Sequence, residues 1–61
     1  MSTLGERIRA VRSRNGWTQQ EAGARIGVDR LTLHRWENGV TAPGAALLRK
    51  RLENWLRREE L

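Results

Sequence analysis

Residues 30–38, RLTLHRWEN, carry the side chains that could do chemistry. At helical spacing, five of them fall on one side of the segment. They are Arg30, Leu31, His34, Arg35 and Asn38. A guanidinium can pair with a guanine edge or a phosphate, and a leucine can lie against a thymine methyl. A merely solvated face would carry more glutamate and lysine, so this row favours contact with a major groove.

Other kinds of chemistry lack the residues they need. The chain has one histidine and no cysteine, and its carboxylates are not clustered around a nucleophile or base. Glu59 and Glu60 are adjacent acids typical of a solvated helix end, and without histidine they do not make a metal site. We therefore expect no enzyme activity, no cofactor and no metal.

Length and charge set further limits. A chain of 61 residues is expected to form one domain, 1–61, whose core buries only about 60% of the unfolded surface. Without disulfides, support must come from close helix packing, self-association or a ligand. The net charge is +5 with a pI near 11.6, and of the 12 basic residues all but Lys50 are arginine. Charge alone favours a polyanion only slightly over an adaptor role or a membrane surface.

The sequence also bears on the compartment. No apolar run approaches the roughly 20 residues that span a bilayer, and the N-terminus lacks a signal-peptide core. The lack of cysteine suits a reducing environment. These features predict a cytoplasmic protein with no membrane partner.

Four helices are predicted, over about 3–15, 18–26, 29–38 and 43–60. Capping boxes begin the first two, at Thr3 with Glu6 and at Thr18 with Glu21. Asp29 is a suitable N-cap for the third helix, and Pro43 fits the first turn of the fourth. Glycines at 16, 27 and 39 are suitable terminators. Since no alternating β-branched run occurs, the fold class is all-α.

The second and third predicted helices are joined through Gly27 and Val28 alone before the Asp29 cap. So short a connection requires a steep angle, which is typical of a helix-turn-helix. Gly23 costs about 1 kcal/mol relative to alanine inside a helix, so it predicts a close helix crossing. A merely tolerated glycine is the alternative.

The last helix has an apolar stripe longer than a three-helix core can cover. This predicts possible dimer contacts at Leu52, Trp55, Leu56 and Leu61. Packing of the same residues back onto the first helix is an equally good interpretation.

The segments TQQEAGARIGV and RWENG resemble the helix-turn-helix domains of phage Cro and lambdoid repressor type, the XRE-like family. The resemblance covers about residues 3–43. Its recurring positions are Arg12, Gly16, Thr18, Gln19, Glu21, Gly23, Gly27, Val28, Trp36, Glu37 and Gly39. It implies a compact repressor-like domain of four helices or possibly five. Two departures are the uncharged loop VTAPG and the lack of a break within the last helix.

The resemblance also implies roles for individual residues. Arg30, Leu31 and Arg35 match positions that read base edges. Phosphate contacts are implied or predicted at Gln19, Thr18, Thr32, His34 and Asn38; for His34, a place on the rim is an equal alternative. Gln19 would also brace the start of the recognition helix. Arg12 and Glu37 match a buried ion pair that links the first helix to the third.

The implied function is sequence-specific binding of double-stranded DNA to regulate transcription, as a repressor or autoregulator from a bacterium or phage. Two copies would read an inverted repeat with helices about 34 Å apart, and no small-molecule effector is expected. Antitoxins and restriction-modification controllers share this fold. The alternative is an adaptor or antitoxin-like module whose basic face meets an acidic protein.

Overall fold

Four α-helices and their connections make up residues 3–61, the part of the chain described by the computed structural model. Their bounds are α1 Leu4–Asn15, α2 Gln19–Ile26, α3 Arg30–Glu37 and α4 Ala46–Glu60. Within residues 3–61 there is no strand and no fifth helix, so the predicted all-α class is confirmed. In the same range, no helix combines the length and hydropathy that crossing a bilayer requires.

Side chains cap the first three helices as predicted. The Thr3 hydroxyl accepts from the Glu6 amide at 3.2 Å, and the Thr3 amide donates to the Glu6 carboxylate at 3.2 Å. Thr18 and Glu21 repeat this reciprocal pair at 3.1 and 3.0 Å. Asp29 Oδ1 accepts from the amide of Thr32 at 3.2 Å. Each of these three helix starts is therefore encoded within four residues of sequence.

The predicted start of the fourth helix at Pro43 is wrong. α4 begins at Ala46, after an extended Ala45 that makes no side-chain cap. Pro43 is instead buried in the connection from α3. Its fixed φ is compatible with a first helical turn, but the preceding residue, Ala42, has no polar side chain that could cap a helix there.

The three predicted terminator glycines all have positive φ. At Gly27 the value is +102°, and its amide donates to the carbonyl of Gly23 at 2.7 Å. A residue with a side chain would be strained in this conformation. Gly27 thus lets α2 end and α3 begin within three residues, which forms the predicted helix-turn-helix.

All four helices contribute to one core. Its buried apolar side chains are Ile8, Val11, Ala22, Ile26, Leu33, Trp36, Leu52, Trp55 and Leu56. The prediction that Leu52, Trp55 and Leu56 form dimer contacts is therefore wrong, since each is at most 3% exposed within a single chain. Only Leu61 of that predicted set is exposed. Of the two interpretations of this apolar stripe, packing within the chain is the one that the structure shows: α4 covers the core with Leu52, Trp55 and Leu56.

Close backbone approach occurs at two glycines. A Cβ on Gly23 would lie 2.7 Å from the carbonyl oxygen of Val28, so the crowding there comes from the turn and not from a crossing helix. A Cβ on Gly5 would lie 2.8 Å from the carbonyl oxygen of Glu37 and closer still to that of Trp36. At Gly5 the backbone of α1 therefore lies directly against the end of α3, a close approach that sequence reasoning missed.

Candidate nucleic-acid interface

The exposed face of α3 is set by its two core side chains. Leu33 and Trp36 are buried, which fixes the rotation of the helix about its axis. On the other side are the residues Arg30, Leu31, His34, Arg35 and Asn38, all of them exposed. Leu31 is 50% exposed, so its side chain is open to an apolar contact. The structure therefore places all three predicted base-reading residues on one open surface.

The start of α3 carries an acid beside these arginines. The pKa of the Asp29 carboxyl lies below its ordinary value. The largest cause is hydrogen bonding by the Thr32 side chain, followed by the hydrogen bond from the Thr32 backbone amide. Asp29 therefore stays ionised as a cap. Thr32 is half-buried, with its amide committed to this cap.

Glu37 anchors the other end of α3, and its side chain is fully buried. Arg12 donates to both carboxylate oxygens, from Nε at 2.8 Å and from a terminal nitrogen at 3.1 Å. Further donors are Arg9 Nε at 3.5 Å and the amide of Gln19 at 3.4 Å. Arg12 also donates to the carbonyl of Trp17 at 3.2 Å. One carboxylate thus joins α3 to α1 and α2.

Two effects compete on the pKa of Glu37. Burial acts to raise it, while hydrogen bonds from Arg12, Gln19 and Arg9 and the charge of Arg12 act to lower it. The donors outweigh the burial, and the pKa lies below its ordinary value. The Glu37 carboxylate is therefore charged at neutral pH, and it balances the charge of Arg12 on the buried side of α3.

Gln19 faces α3 in a different place from the one the resemblance implies. Its amide nitrogen lies 3.3 Å from His34 Nδ1 and 3.4 Å from Glu37 Oε1. Gln19 therefore braces the second half of α3 and not its start. Asn38 donates to the carbonyl of His34 at 2.8 Å, and its amide nitrogen also lies 3.4 Å from His34 Nδ1. These three predicted phosphate-contact residues form one continuous polar edge.

Thr18 is the N-cap of α2 and directly precedes Gln19. Its hydroxyl oxygen accepts from the Glu21 amide at 3.1 Å, which leaves the hydroxyl hydrogen available to a phosphate oxygen. Thr18 is exposed. The cap and a phosphate contact are therefore compatible at this residue.

Sequence reasoning missed the support behind the turn between α1 and α2. The Arg25 guanidinium lies 4.1 Å from the centre of the Trp17 ring, and Trp17 packs at 6.2 Å from Trp55. This stack covers the core beside α2. The spacing of Trp17 and Arg25 along the chain carries no signal that would have revealed it.

An exposed arginine-bearing helix, joined to α2 by a sharp turn and anchored by a buried ion pair, defines the class of helix-turn-helix DNA-binding proteins. The model of the helix-turn-helix family HTH_3 matches residues 8–53 of the chain. The chain belongs to this XRE-like helix-turn-helix family, whose members bind double-stranded DNA and regulate transcription. No curated protein and no solved structure matches the chain at a significant level.

Proposed function

We propose that the chain represses transcription, including that of its own gene, by placing α3 in the major groove of an operator. One observation carries this proposal: Arg30, Leu31 and Arg35 are exposed together on a helix whose rotation and tilt are fixed by buried residues. A rigid helix presents base-reading groups at reproducible positions, which sequence selectivity requires.

The base contacts divide by chemistry. Arg30 and Arg35 each pair with a guanine through O6 and N7, and Leu31 lies against a thymine methyl. Such contacts are worth about 1–3 kcal/mol of discrimination per base pair. The preferred half-site therefore contains guanine and thymine next to each other.

Phosphate contacts flank this row. The polar edge of Gln19, His34 and Asn38 meets one stretch of backbone, together with the Thr18 hydroxyl and Thr32. These contacts set the register of the helix but carry no sequence information. The uncharged loop after α3 adds little to them.

A single module buries only about 600–1,000 Å² on DNA, so we propose that two copies bind an inverted repeat about 34 Å apart. Because Leu52, Trp55 and Leu56 are buried in the core, the two copies contact each other through other residues. They form a dimer at least when bound to DNA. A bacterial cell or a phage-infected host supplies the promoter. Occupancy of that promoter is the means of control.

Selection of bound duplexes from a random pool by the full chain tests the proposal. An inverted repeat whose half-site contains guanine next to thymine is expected, and Arg35→Ala should reduce affinity for it by about 1–3 kcal/mol. Arg49→Ala removes an exposed arginine from α4 and serves as the matched control. A single unpaired site would contradict the symmetric dimer. Failure to enrich any duplex would favour an adaptor that binds an acidic protein.

A further inference from the structure

α4 has a second, unpartnered side opposite the core. This outer face of α4 carries Leu47, Lys50, Arg51, Arg57, Arg58 and Leu61, which line a shallow groove around Asn54. The described residues of the core contact Leu52, Trp55 and Leu56 on the other side of the same helix. Of the outer face, Arg51 lies beside Gly27 at the end of α2. The core contacts of α4 do not explain the composition of the rest of this face.

The two leucines mark the ends of this face. Leu47 is 85% exposed and Leu61 is fully exposed. They are about four helical turns apart, or about 21 Å at 1.5 Å per residue. A protein surface of similar length can bury both leucines, whereas a phosphate backbone offers them no apolar contact.

Between the leucines the face is strongly positive. Lys50, Arg51, Arg57 and Arg58 are all exposed, and among residues 3–61 no carboxylate forms an ion pair with any of them. A second copy of the chain on this face would bring cations against cations, which is costly. The complementary partner is acidic.

One residue of the outer face of α4 reaches the turn of the helix-turn-helix. The Arg51 guanidinium lies 3.3 Å from the position that a Cβ on Gly27 would take. Arg57, Arg58 and Leu61 lie about two to three helical turns farther along α4.

We propose that the outer face of α4 binds an acidic amphipathic helix of another protein. Glutamate and aspartate side chains of that helix pair with the four cations, and apolar residues near its ends cover Leu47 and Leu61. This interaction is distinct from the DNA binding proposed above and does not depend on it.

A synthetic helical peptide of about five turns provides the probe, with a glutamate stripe between two terminal leucines. Its fluorescence anisotropy is followed as the full chain is added at about 0.15 M salt. Saturable binding by the wild-type chain is expected, and a peptide of the same composition in scrambled order should bind much more weakly. Equal binding of both peptides, or binding of neither, would overturn the proposal.

Two matched pairs of variants locate the site. Arg57→Glu should weaken peptide binding by about tenfold or more, whereas Arg49→Glu makes the same charge change off the outer face and should weaken it far less. Leu47→Ser should also weaken binding, with Val40→Ser as the control at another exposed apolar residue. Circular dichroism establishes that each variant is folded.

Equal losses for Arg57→Glu and Arg49→Glu would show that only net charge matters and would overturn the proposal. The same two variants are compared on duplex DNA. If Arg57→Glu weakens DNA binding much more than Arg49→Glu does, the outer face belongs to the DNA footprint and the proposal fails, while the proposed function stands.

Discussion

At the scale of single residues, Glu37 determines how α3 is aimed. It is buried behind the face of α3 that we propose meets DNA, where an exposed acid would repel phosphates. Arg12, Arg9 and Gln19 surround it with donors, so its charge is neutralised and its geometry fixed. The acid thus supports the arginines of α3 from behind.

Glu37→Ala should destabilise the chain by about 3–5 kcal/mol, because it leaves Arg12 without its partner in a partly buried site. Urea unfolding followed by circular dichroism measures this change. Glu60→Ala removes the exposed partner of Arg7 and should cost far less. Equal losses from the two variants would show that burial does not strengthen the Glu37 pair.

Acid should weaken the fold through Glu37. Its pKa is lowered in the folded state, so the stability it contributes is complete above the unfolded carboxyl pKa of about 4.3 and is lost as the pH falls through the folded value. The free energy of unfolding should therefore fall on acidification below about pH 4.3. Glu21, Asp29 and Glu60 shift in the same direction, so the difference between wild type and Glu37→Gln isolates this residue. A difference that does not change with pH would contradict the assignment.

At the scale of elements, the position of α3 depends on two close backbone contacts. The lack of a side chain at Gly23 lets the Val28 carbonyl lie against α2, and the lack of one at Gly5 lets the end of α3 lie against α1. The second contact brings the segment that carries Glu37 within reach of Arg12 and Arg9. The absence of a side chain at these two points therefore helps set the position of α3.

Gly5→Ala should destabilise the chain by about 1–3 kcal/mol, because its Cβ would overlap backbone carbonyls that cannot move independently. A lower melting temperature is the expected readout. Gly44→Ala is the matched control, since nothing lies within 4 Å of a Cβ there and its φ is not positive. If both variants melt alike, α1 and α3 are not as close as described.

At the scale of the whole molecule, α4 closes the core with one side and leaves the other open. The core side carries Leu52, Trp55 and Leu56, and the open side carries four cations between two leucines. A chain of this size needs these three large apolar side chains to bury a core, so they are not available to a partner. Self-association, if it occurs on DNA, must use other surfaces.

Trp55→Glu should unfold the chain instead of producing a folded monomer, because Trp55 is 3% exposed and packs against Trp17. Circular dichroism and sedimentation together measure the outcome. A variant that keeps its helix content but loses mass in sedimentation would restore the dimer interpretation. Leu61→Glu provides a control at the fully exposed end of the same stripe.

Local sequence was sufficient to predict the helix starts at Thr3, Thr18 and Asp29, the turn at Gly27 and the helix-turn-helix class. Caps and terminators act within a few residues, so their spacing can be recognised without knowledge of the fold. The exposed row on α3 was predictable for the same reason, since Leu33 and Trp36 identify its buried side.

Only the tertiary structure decided which partner each apolar stripe meets and how close the backbones come. Periodicity shows that Leu52, Trp55 and Leu56 require burial, but it does not tell whether α1 and α2 or a second chain covers them. The close contact at Gly5 and the direction of the Gln19 side chain could not be predicted, because both depend on residues distant in sequence. Local sequence specifies the helices, and the packing of α1 across α3 sets the direction of α3.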